Sequence, residues 1–309
     1  MGRGAEGTDA VVSVADVLRR RVPRRHQQRL IEARLRLRTW SNPERRPPDF
    51  LVIGAQRSGT SSLYKWLEQH PDVVSSLRKE TEYFSFRFTR GAPWYLAHFP
   101  SRARRASHQR RAGREPLTFE ATPTYLFHPE APGRAHAFVP DVKLIALLRD
   151  PVTRAFSHYR HMVRYGQEPL AFEAALDCEE QRLHGEVDLM AADPAYRSLP
   201  WERWSYAARG HYAEQLERWL ERYPRQRLLV LRSEDLFDDP PSTYAKVLAF
   251  LGLDPFRPRQ FQNWSVVRPD EEPLPAAAAE RLDAHFAAPN RRLAELLGTD
   301  IGWAARSRG

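Results

Sequence analysis

The chain has 309 residues, of which 42% are hydrophobic and 28% are charged, so its composition is typical of a globular protein that can bury a core. Its formal net charge of +9 suggests an anionic partner such as a nucleic acid, a phosphorylated cofactor or an acidic glycan. The single cysteine, Cys178, excludes a disulfide framework within the chain and argues against a cysteine-based zinc site.

The first 48 residues are predicted to form a basic N-terminal extension. Leucine and isoleucine residues between positions 30 and 37 recur at near-helical spacing among many arginines. This pattern favours a helix that packs on the main domain. The alternative is a basic amphipathic helix within residues 11–40 that contacts a membrane surface or an acidic partner. Prolines ahead of residue 49 then predict a linker.

The chain shows no sequence signal of export or of membrane insertion. Its first ten residues contain no apolar segment of a secretory signal, and no run of about 18 or more apolar residues occurs. A single cysteine also suits a reducing compartment. We therefore expect a cytoplasmic protein.

Short apolar runs alternate with helical patterns after residue 48. Strands are predicted within residues 49–54, 73–86, 117–123, 142–151 and 227–236. Helices are predicted within residues 55–71, 153–166, 168–209, 211–224 and 242–253, and two short helices are predicted after residue 275. The alternation predicts an α/β fold in which a central, mostly parallel sheet is flanked by helices. We predict one domain over residues 49–303 and a tail over residues 304–309.

The first strand-to-helix junction is predicted to bind a phosphate-like group. Such a junction directs backbone N–H groups and the positive end of a helix at one point, and Gly54 and Gly59 permit close backbone approach. Arg57 adds a fixed charge. The other candidates for binding are Ser58, Gly59, Thr60, Ser61 and Ser62. The glycine spacing matches the loop of nucleotide triphosphatases, but Thr60 stands where that motif has lysine, so ATP hydrolysis is a poor fit.

A second anion site is predicted where another strand meets its helix. Arg149 follows the carboxyl end of the strand, where open α/β sheets bind ligands. Arg154 and Ser157 are three residues apart, so they are expected to share a helix face. Arg149 and Ser157 are predicted to hold a phosphate, although Arg149 could instead pair with Asp150 or with a helix C-terminus. Two anion sites in one sheet suggest a ligand with two phosphate-like ends.

These two junctions resemble those of the sulfotransferases that use 3′-phosphoadenosine 5′-phosphosulfate (PAPS). Residues 54–63 are similar to the P-loop-like 5′-phosphosulfate loop, and residues 147–159 are similar to the 3′-phosphate motif R-x-x-x-x-R-x-x-S. Further segments resemble the heparan-sulfate-type and bacterial branch of the family, at residues 70–86, 119–126, 210–240 and 247–253. The resemblance covers residues 49–303, and the order of the motifs makes it specific.

The resemblance implies a role for each matching residue. Arg57 would hold the 5′-phosphosulfate and neutralise the leaving phosphate, and residues 58–62 would donate hydrogen bonds to the same group. Arg149 and Ser157 would hold the 3′-phosphate. Arg268 would cover the cofactor. No metal is expected, because cationic side chains neutralise the charge.

Glu80 matches the general base of the heparan-sulfate-type enzymes, so Glu80 and Arg57 are the predicted catalytic residues. Glu80 could instead pair with a basic neighbour on the surface. Two departures from the family pattern argue against an acidic, heparan-like acceptor: Ala121 replaces a lysine, and Glu82 replaces a histidine. Residues 85–116 and 168–209 match no motif and are expected to shape the acceptor pocket.

The expected function is transfer of a sulfuryl group from PAPS to a hydroxyl or an amine, on a carbohydrate or glycolipid, by in-line displacement. Sulfation of a small secondary metabolite is the first alternative. An ATP-dependent phosphotransferase and a non-catalytic PAPS-binding protein are further alternatives. A nucleic-acid-binding protein is not expected, because arginine is spread along the chain and only residues 101–114 form a basic run.

Overall fold

Five parallel strands form one sheet in the computed structural model, which describes residues 24–41, 44–264 and 272–303. The strands are β1 (Phe50–Gly54), β2 (Val73–Ser75), β3 (Leu117–Ala121), β4 (Lys143–Leu148) and β5 (Leu228–Arg232). Their order across the sheet is β2-β3-β1-β4-β5, and every neighbouring pair is parallel. The predicted α/β fold with a central parallel sheet is therefore confirmed.

The central strands are apolar because helices cover both faces of the sheet. Leu51 and Ile53 of β1 pack in one core cluster, whereas Phe50 and Val52 pack in the other. Register places Phe50 beside Phe119 of β3, and their rings stack with centroids 4.8 Å apart. Alternate residues of one strand thus join two separate cores.

Helices account for most of the remaining described chain. They are α1 (Arg24–Trp40), α2 (Thr60–Leu67), α3 (Ala92–Leu96), α4 (Arg102–Ala112), α5 (Ala131–Phe138), α6 (Pro151–Arg164), α7 (Phe172–Asp177), α8 (Glu179–Leu183), α9 (Glu186–Ala192), α10 (Leu199–Arg203), α11 (Tyr212–Leu220), α12 (Ser233–Asp238), α13 (Pro240–Leu251) and α14 (Ala276–Leu297). Short 3₁₀ helices lie at Phe88–Arg90, Ala208–Gly210 and Arg225–Arg227. Among the described helices, none has both the length and the apolar composition that crossing a bilayer requires.

The C-terminal segment differs from the expectation of two short helices. Residues 276–297 form the single helix α14, with Pro289 inside it. Leu282, Phe286 and Leu293 are buried on one side of this helix. Their packing continues on both sides of the proline, so tertiary contacts outweigh the loss of one backbone hydrogen bond.

The N-terminal helix α1 packs on the main domain, as the favoured interpretation predicts. Leu35 is fully buried in the same core cluster as Leu51, and Ile31 packs against that cluster. The Arg38 guanidinium donates to the carbonyl of Phe99. The predicted domain boundary at residue 48 stays a prediction.

The basic run at residues 101–114 forms α4 and is partly structural. Arg105 is buried and donates to the hydroxyl of Thr118 at 2.7 Å. It also pairs with Asp49 at 3.3 Å. One arginine of this run therefore joins α4 to the amino ends of β3 and β1.

Candidate active site

The first predicted anion site lies between β1 and α2. Gly59 precedes the helix with a φ of 88°, and no side chain caps the helix start. A Cβ at Gly59 would lie 2.9 Å from atoms of Leu236 and Phe237, so both conformation and space require glycine there. The first N–H groups of a helix have no partner within it. This helix start can therefore receive an anion.

Gly54 permits close approach of another segment of the chain. A Cβ at this position would lie 2.5 Å from Cβ of Leu126. Close approach at Gly54 therefore serves packing between β1 and the segment after β3. The expected close approach is therefore present at Gly54, and its partner in the structure is Leu126.

Arg57 and Ser58 supply the side-chain chemistry of this loop. Arg57 has a φ of 69°, and its Nε donates to Oγ of Ser157 on α6 at 3.1 Å. Ser58 is fully buried, and its hydroxyl has no hydrogen-bond partner among the described residues. An unsatisfied buried hydroxyl costs about 1–3 kcal/mol, so a ligand oxygen beside it would be stabilising. This orphaned hydroxyl next to a guanidinium fits a phosphate or sulfate oxygen.

The second junction lies directly against the first. Arg149 follows the end of β4, and its Nη1 donates to the carbonyl of Arg57 at 3.3 Å. Its Nε donates to Oγ1 of Thr153 at 3.2 Å, and its own carbonyl accepts from the hydroxyl of Tyr212 at 2.8 Å. The structure therefore brings Arg57, Arg149 and Ser157 together at the carboxyl edge of the sheet. That is where parallel α/β sheets bind ligands.

Arg154 does not join this group. It is fully buried, and its guanidinium donates to the carbonyl of Tyr206. Burial lowers the pKa of Arg154. Arg154 and Ser157 were expected to share one helix face, but only Ser157 contacts Arg57. Residues three apart on a helix are separated by about 60° of rotation, and here that turns Arg154 into the core.

Positive charge accumulates in the cleft. The pKa of Arg57 is lowered to about 10, first by burial and then by the charges of Arg149, Arg164 and Arg160. Burial also lowers the pKa of Arg149. Guanidinium groups that destabilise one another are stabilised by an anion placed between them. The cleft is therefore complementary to a ligand with several negative charges.

Glu80 lies at the end of β3, where its backbone N–H donates to the carbonyl of Ala121 at 3.0 Å. Its side chain is 49% exposed and pairs with Lys79 at 2.5 Å, as the alternative interpretation expects. The charge of Glu80 also acts on α6, the helix that carries Ser157. The pKa of His161 on α6 is lowered to about 4 by burial and by Arg57, and the charge of Glu80 partly opposes this shift.

A buried carboxylate that was not predicted from the sequence supports the segment of Glu80. Glu120 of β3 is fully buried and accepts hydrogen bonds from four hydroxyl groups. These come from Thr81 at 2.5 Å, Tyr125 at 2.8 Å, Thr122 at 2.9 Å and Tyr95 at 2.9 Å. Thr81 lies between Glu80 and Glu82, whose φ values are 62° and 58°. Left-handed backbone is costly for such residues, so Glu120 anchors a strained segment.

Of the two departures from the family pattern, Glu82 lies in this segment and Ala121 lies beside it, where its carbonyl accepts from the N–H of Glu80. Ala121 is fully buried and packs in the core cluster that contains Val52. The carboxylate of Glu82 binds Arg87 at 3.0 Å and lies 3.7 Å from Arg197. Arg197 belongs to the 168–209 region that matched no motif.

Three of the remaining predicted residues lie at the start of α2. Thr60 is buried and Ser61 is half-buried at the start of α2. Ser62 is fully buried, and its hydroxyl accepts from the backbone N–H of Trp264 at 3.0 Å. It therefore holds the chain that leads toward Arg268, which lies outside the described residues. Within the described ranges, no three histidine, cysteine or acidic side chains are grouped as metal ligands.

Known proteins show the same combination of sequence and fold. The sequence pattern of the sulfotransferase domain family matches residues 47–266. Heparan sulfate glucosamine 3-O-sulfotransferase 6 of Mus musculus is 31% identical over 283 residues, which cover 84% of this chain and 74% of that protein. The bifunctional heparan sulfate N-deacetylase/N-sulfotransferase of Drosophila melanogaster is 30% identical over 226 residues, which cover 67% of this chain and 20% of that protein. The crystal structure of a sulfotransferase from Alicyclobacillus acidocaldarius is similar with a TM-score of 0.64 and 30% identity, and the match covers 84% of this chain and 99% of that chain.

Proposed function

The chain belongs to the sulfotransferase domain family and is a sulfotransferase, and we propose from this premise that it transfers the sulfuryl group of PAPS to a carbohydrate hydroxyl or amine. The observation that carries the proposal is the contact between the two junctions, in which Arg57 donates to Ser157 and Arg149 donates to the carbonyl of Arg57. One ligand with two anionic ends can then contact both.

The loop before α2 would hold the 5′-phosphosulfate. The hydroxyl of Ser58, which has no partner among the described residues, the guanidinium of Arg57 and the N–H groups at the start of α2, which have no partner within the helix, supply donors and charge. Arg149 and Ser157 would hold the 3′-phosphate, which distinguishes PAPS from ordinary adenine nucleotides. PAPS supplies an activated sulfuryl group, and no metal ion is part of this proposal.

Sulfuryl transfer requires charge stabilisation on the donor side and proton removal on the acceptor side. The sulfur–oxygen bond to the 5′-phosphate breaks, and its electron pair remains on that phosphate. Arg57 and the loop N–H groups would stabilise this charge. A new bond joins sulfur to the acceptor oxygen or nitrogen, and the carboxylate of Glu80 would take the acceptor proton. A positioned base of this kind contributes about 10²–10⁴-fold to the rate.

A carbohydrate acceptor is supported by the names of the relatives. The relatives from Mus musculus and Drosophila melanogaster are named as heparan sulfate enzymes, the first a 3-O-sulfotransferase and the second an N-sulfotransferase. We therefore propose a sugar hydroxyl or amine as the acceptor.

The direct test measures transfer of radiolabelled sulfate from PAPS to a panel of saccharides, together with thermal shifts by AMP, ATP and adenosine 3′,5′-bisphosphate (PAP), which is the product left when PAPS has given up its sulfuryl group. We expect transfer to at least one saccharide and stabilisation by PAP well above that by AMP, because a ligand that binds only the folded state raises its stability. Stabilisation by ATP with magnesium in place of PAP would refute the donor assignment. If PAP binds but no saccharide is sulfated, the donor assignment stands and the carbohydrate acceptor is refuted.

We also propose that α1 contacts an anionic membrane surface. Leu30, Leu37 and Trp40 are 64%, 63% and 83% exposed, and their spacing of seven and three places them on one side of the helix. Arg34 and Arg36 are exposed beside them. Apolar side chains next to arginines match the interface of an acidic bilayer.

Vesicle co-sedimentation tests this contact. We expect binding to vesicles of phosphatidylcholine with phosphatidylglycerol and no binding to phosphatidylcholine alone. The double variant Leu37→Ser, Trp40→Ser should lose vesicle binding and keep its thermal shift with PAP. Equal binding of variant and native chain to anionic vesicles would refute the role of this face. A cytoplasmic location, supported by the single cysteine, remains our proposal.

A further inference from the structure

Four cationic side chains surround the segment that carries Glu80, and each is paired with a carboxylate. The pairs are Arg78–Glu32 at 3.7 Å, Lys79–Glu80 at 2.5 Å, Arg87–Glu82 at 3.0 Å and Arg197–Glu202 at 2.6 Å. We call these eight residues the acceptor patch. Four cations and four carboxylates leave the patch without net charge.

Glu82 is central to this balance. Its carboxylate binds Arg87 and also lies 3.7 Å from Arg197, so it neutralises charge on two elements that are distant in sequence. The side chains of Arg87 and Glu82 are only 21% and 13% exposed, so water and salt screen this pair weakly. Arg197 is also held from a second direction, because its guanidinium lies over the ring of Phe86 at 5.4 Å.

On the donor side of the same cleft, around Arg57, positive charges accumulate. The charges that lower the pKa of Arg57 come from Arg149, Arg164 and Arg160. This side is therefore suited to a polyanion, whereas the acceptor patch is electrically balanced. The donor side therefore suits an anionic substrate, whereas the acceptor patch suits an uncharged one.

We infer that the acceptor is an uncharged saccharide and that Glu82 sets this preference by neutralising Arg87 and Arg197. The inference rests on the proposed function, because it concerns the acceptor of that reaction. A carboxylated or sulfated glycan would have to compete with Glu82 and Glu202 for their arginines, and it would meet the charge of Glu80. An uncharged hydroxyl displaces no ion pair and avoids that repulsion.

The test compares matched pairs of acceptors that differ by one charge. Each pair consists of a disaccharide glycoside and the same glycoside with its terminal hexose oxidised to a uronate. The kcat/KM for each is measured with saturating PAPS, and the result is the ratio of uronate to neutral acceptor. The native enzyme should favour the neutral member by about tenfold or more.

Two variants should move this ratio in opposite directions. Glu82→Gln frees Arg87 and removes the second carboxylate near Arg197, which stays paired with Glu202, so it should raise the ratio about tenfold. Arg197→Gln leaves the patch negative and should lower the ratio. Arg197 is on the surface of the cleft, so the second variant tests the idea even if Glu82→Gln does not fold. Glu217→Gln is the matched control, because Glu217 on α11 pairs with Arg292 on α14 at 2.6 Å and neither residue belongs to the acceptor patch. Its ratio should equal that of the native enzyme.

The outcomes separate the inference from the function on which it rests. If the native enzyme sulfates the uronates as well as the neutral sugars, the inference is overturned and the sulfotransferase function stands. The same holds if both cleft variants leave the ratio unchanged. Transfer to no member of any pair, with PAP still stabilising the protein, overturns the carbohydrate acceptor and the inference together.

Discussion

Replacing Arg149 with alanine is expected to weaken binding of PAPS more than binding of adenosine 5′-phosphosulfate, which lacks the 3′-phosphate. In the structure Arg149 contacts the protein through the carbonyl of Arg57 and the hydroxyl of Thr153. Neither partner is charged, so the guanidinium keeps its charge and further N–H groups for a ligand. The 3′-phosphate is the part of PAPS proposed to use them.

The magnitude follows from the kind of bond that is lost. A hydrogen bond to a charged group contributes about 1.5–3 kcal/mol, which corresponds to a loss of affinity for PAPS of about 10- to 150-fold. Adenosine 5′-phosphosulfate loses no direct contact. It is affected only through the bond at 3.3 Å that supports the loop carbonyl of Arg57. A neutral hydrogen bond contributes about 1 kcal/mol, so that loss should stay near fivefold.

Isothermal titration calorimetry with both nucleotides measures the two dissociation constants. Arg292→Ala is the matched control, because it removes an arginine on α14 that pairs with Glu217 outside the cleft. We expect the control to bind both nucleotides as the native protein does. Equal losses for both nucleotides in Arg149→Ala would refute the assignment of Arg149 to the 3′-phosphate.

Three further predictions concern the acceptor side and stability. Glu80→Gln should keep PAP binding and lower kcat by at least about 10²-fold, and an unchanged kcat in single-turnover assays would remove Glu80 as the base. Glu120→Gln should lower kcat without changing the KM for PAPS, because an amide NH₂ replaces one carboxylate oxygen, so two of the four hydroxyls lose their acceptor and the segment of Glu80 loosens. Parallel changes of both constants would indicate a general loss of structure. Burial lowers the pKa of His128 from 6.5 to about 3, so its contribution to stability is complete above pH 6.5 and is lost as the pH falls toward 3. His128→Asn should therefore flatten the decrease in unfolding free energy between pH 7 and pH 4 measured with urea, and an unchanged decrease would show that other groups cause it.

The candidate site was partly predictable because its key residues follow directly on strand ends. Arg57 is the third residue after β1 and Arg149 is the first residue after β4, and local sequence identifies such junctions. Their predicted roles in binding PAPS stay predictions, as does the role of Glu80. Ser58 was among the predicted donors, but its burial without a partner is visible only in three dimensions.

Other features could not be predicted, because they depend on which surfaces meet. Glu120 lies in a strand and gives no local sign that four hydroxyls, two of them from outside β3 and its adjoining turn, converge on it. The pairing of Glu82 with Arg197 joins residues more than a hundred positions apart. Periodicity suggested that Arg154 would flank Ser157, yet the packing around Tyr206 takes Arg154 inward.

The amino-acid sequence by itself determined the parallel α/β fold, the two anion-binding junctions and membership of the sulfotransferase family. Those properties arise from apolar runs and from motifs a few residues long, whose physical consequences are local. The tertiary structure alone decided that the junctions touch through Arg57 and Ser157, that Gly54 serves packing, and that the charges around Glu80 cancel. Such contacts join distant segments, and their geometry exists only after helices have packed on both faces of the sheet.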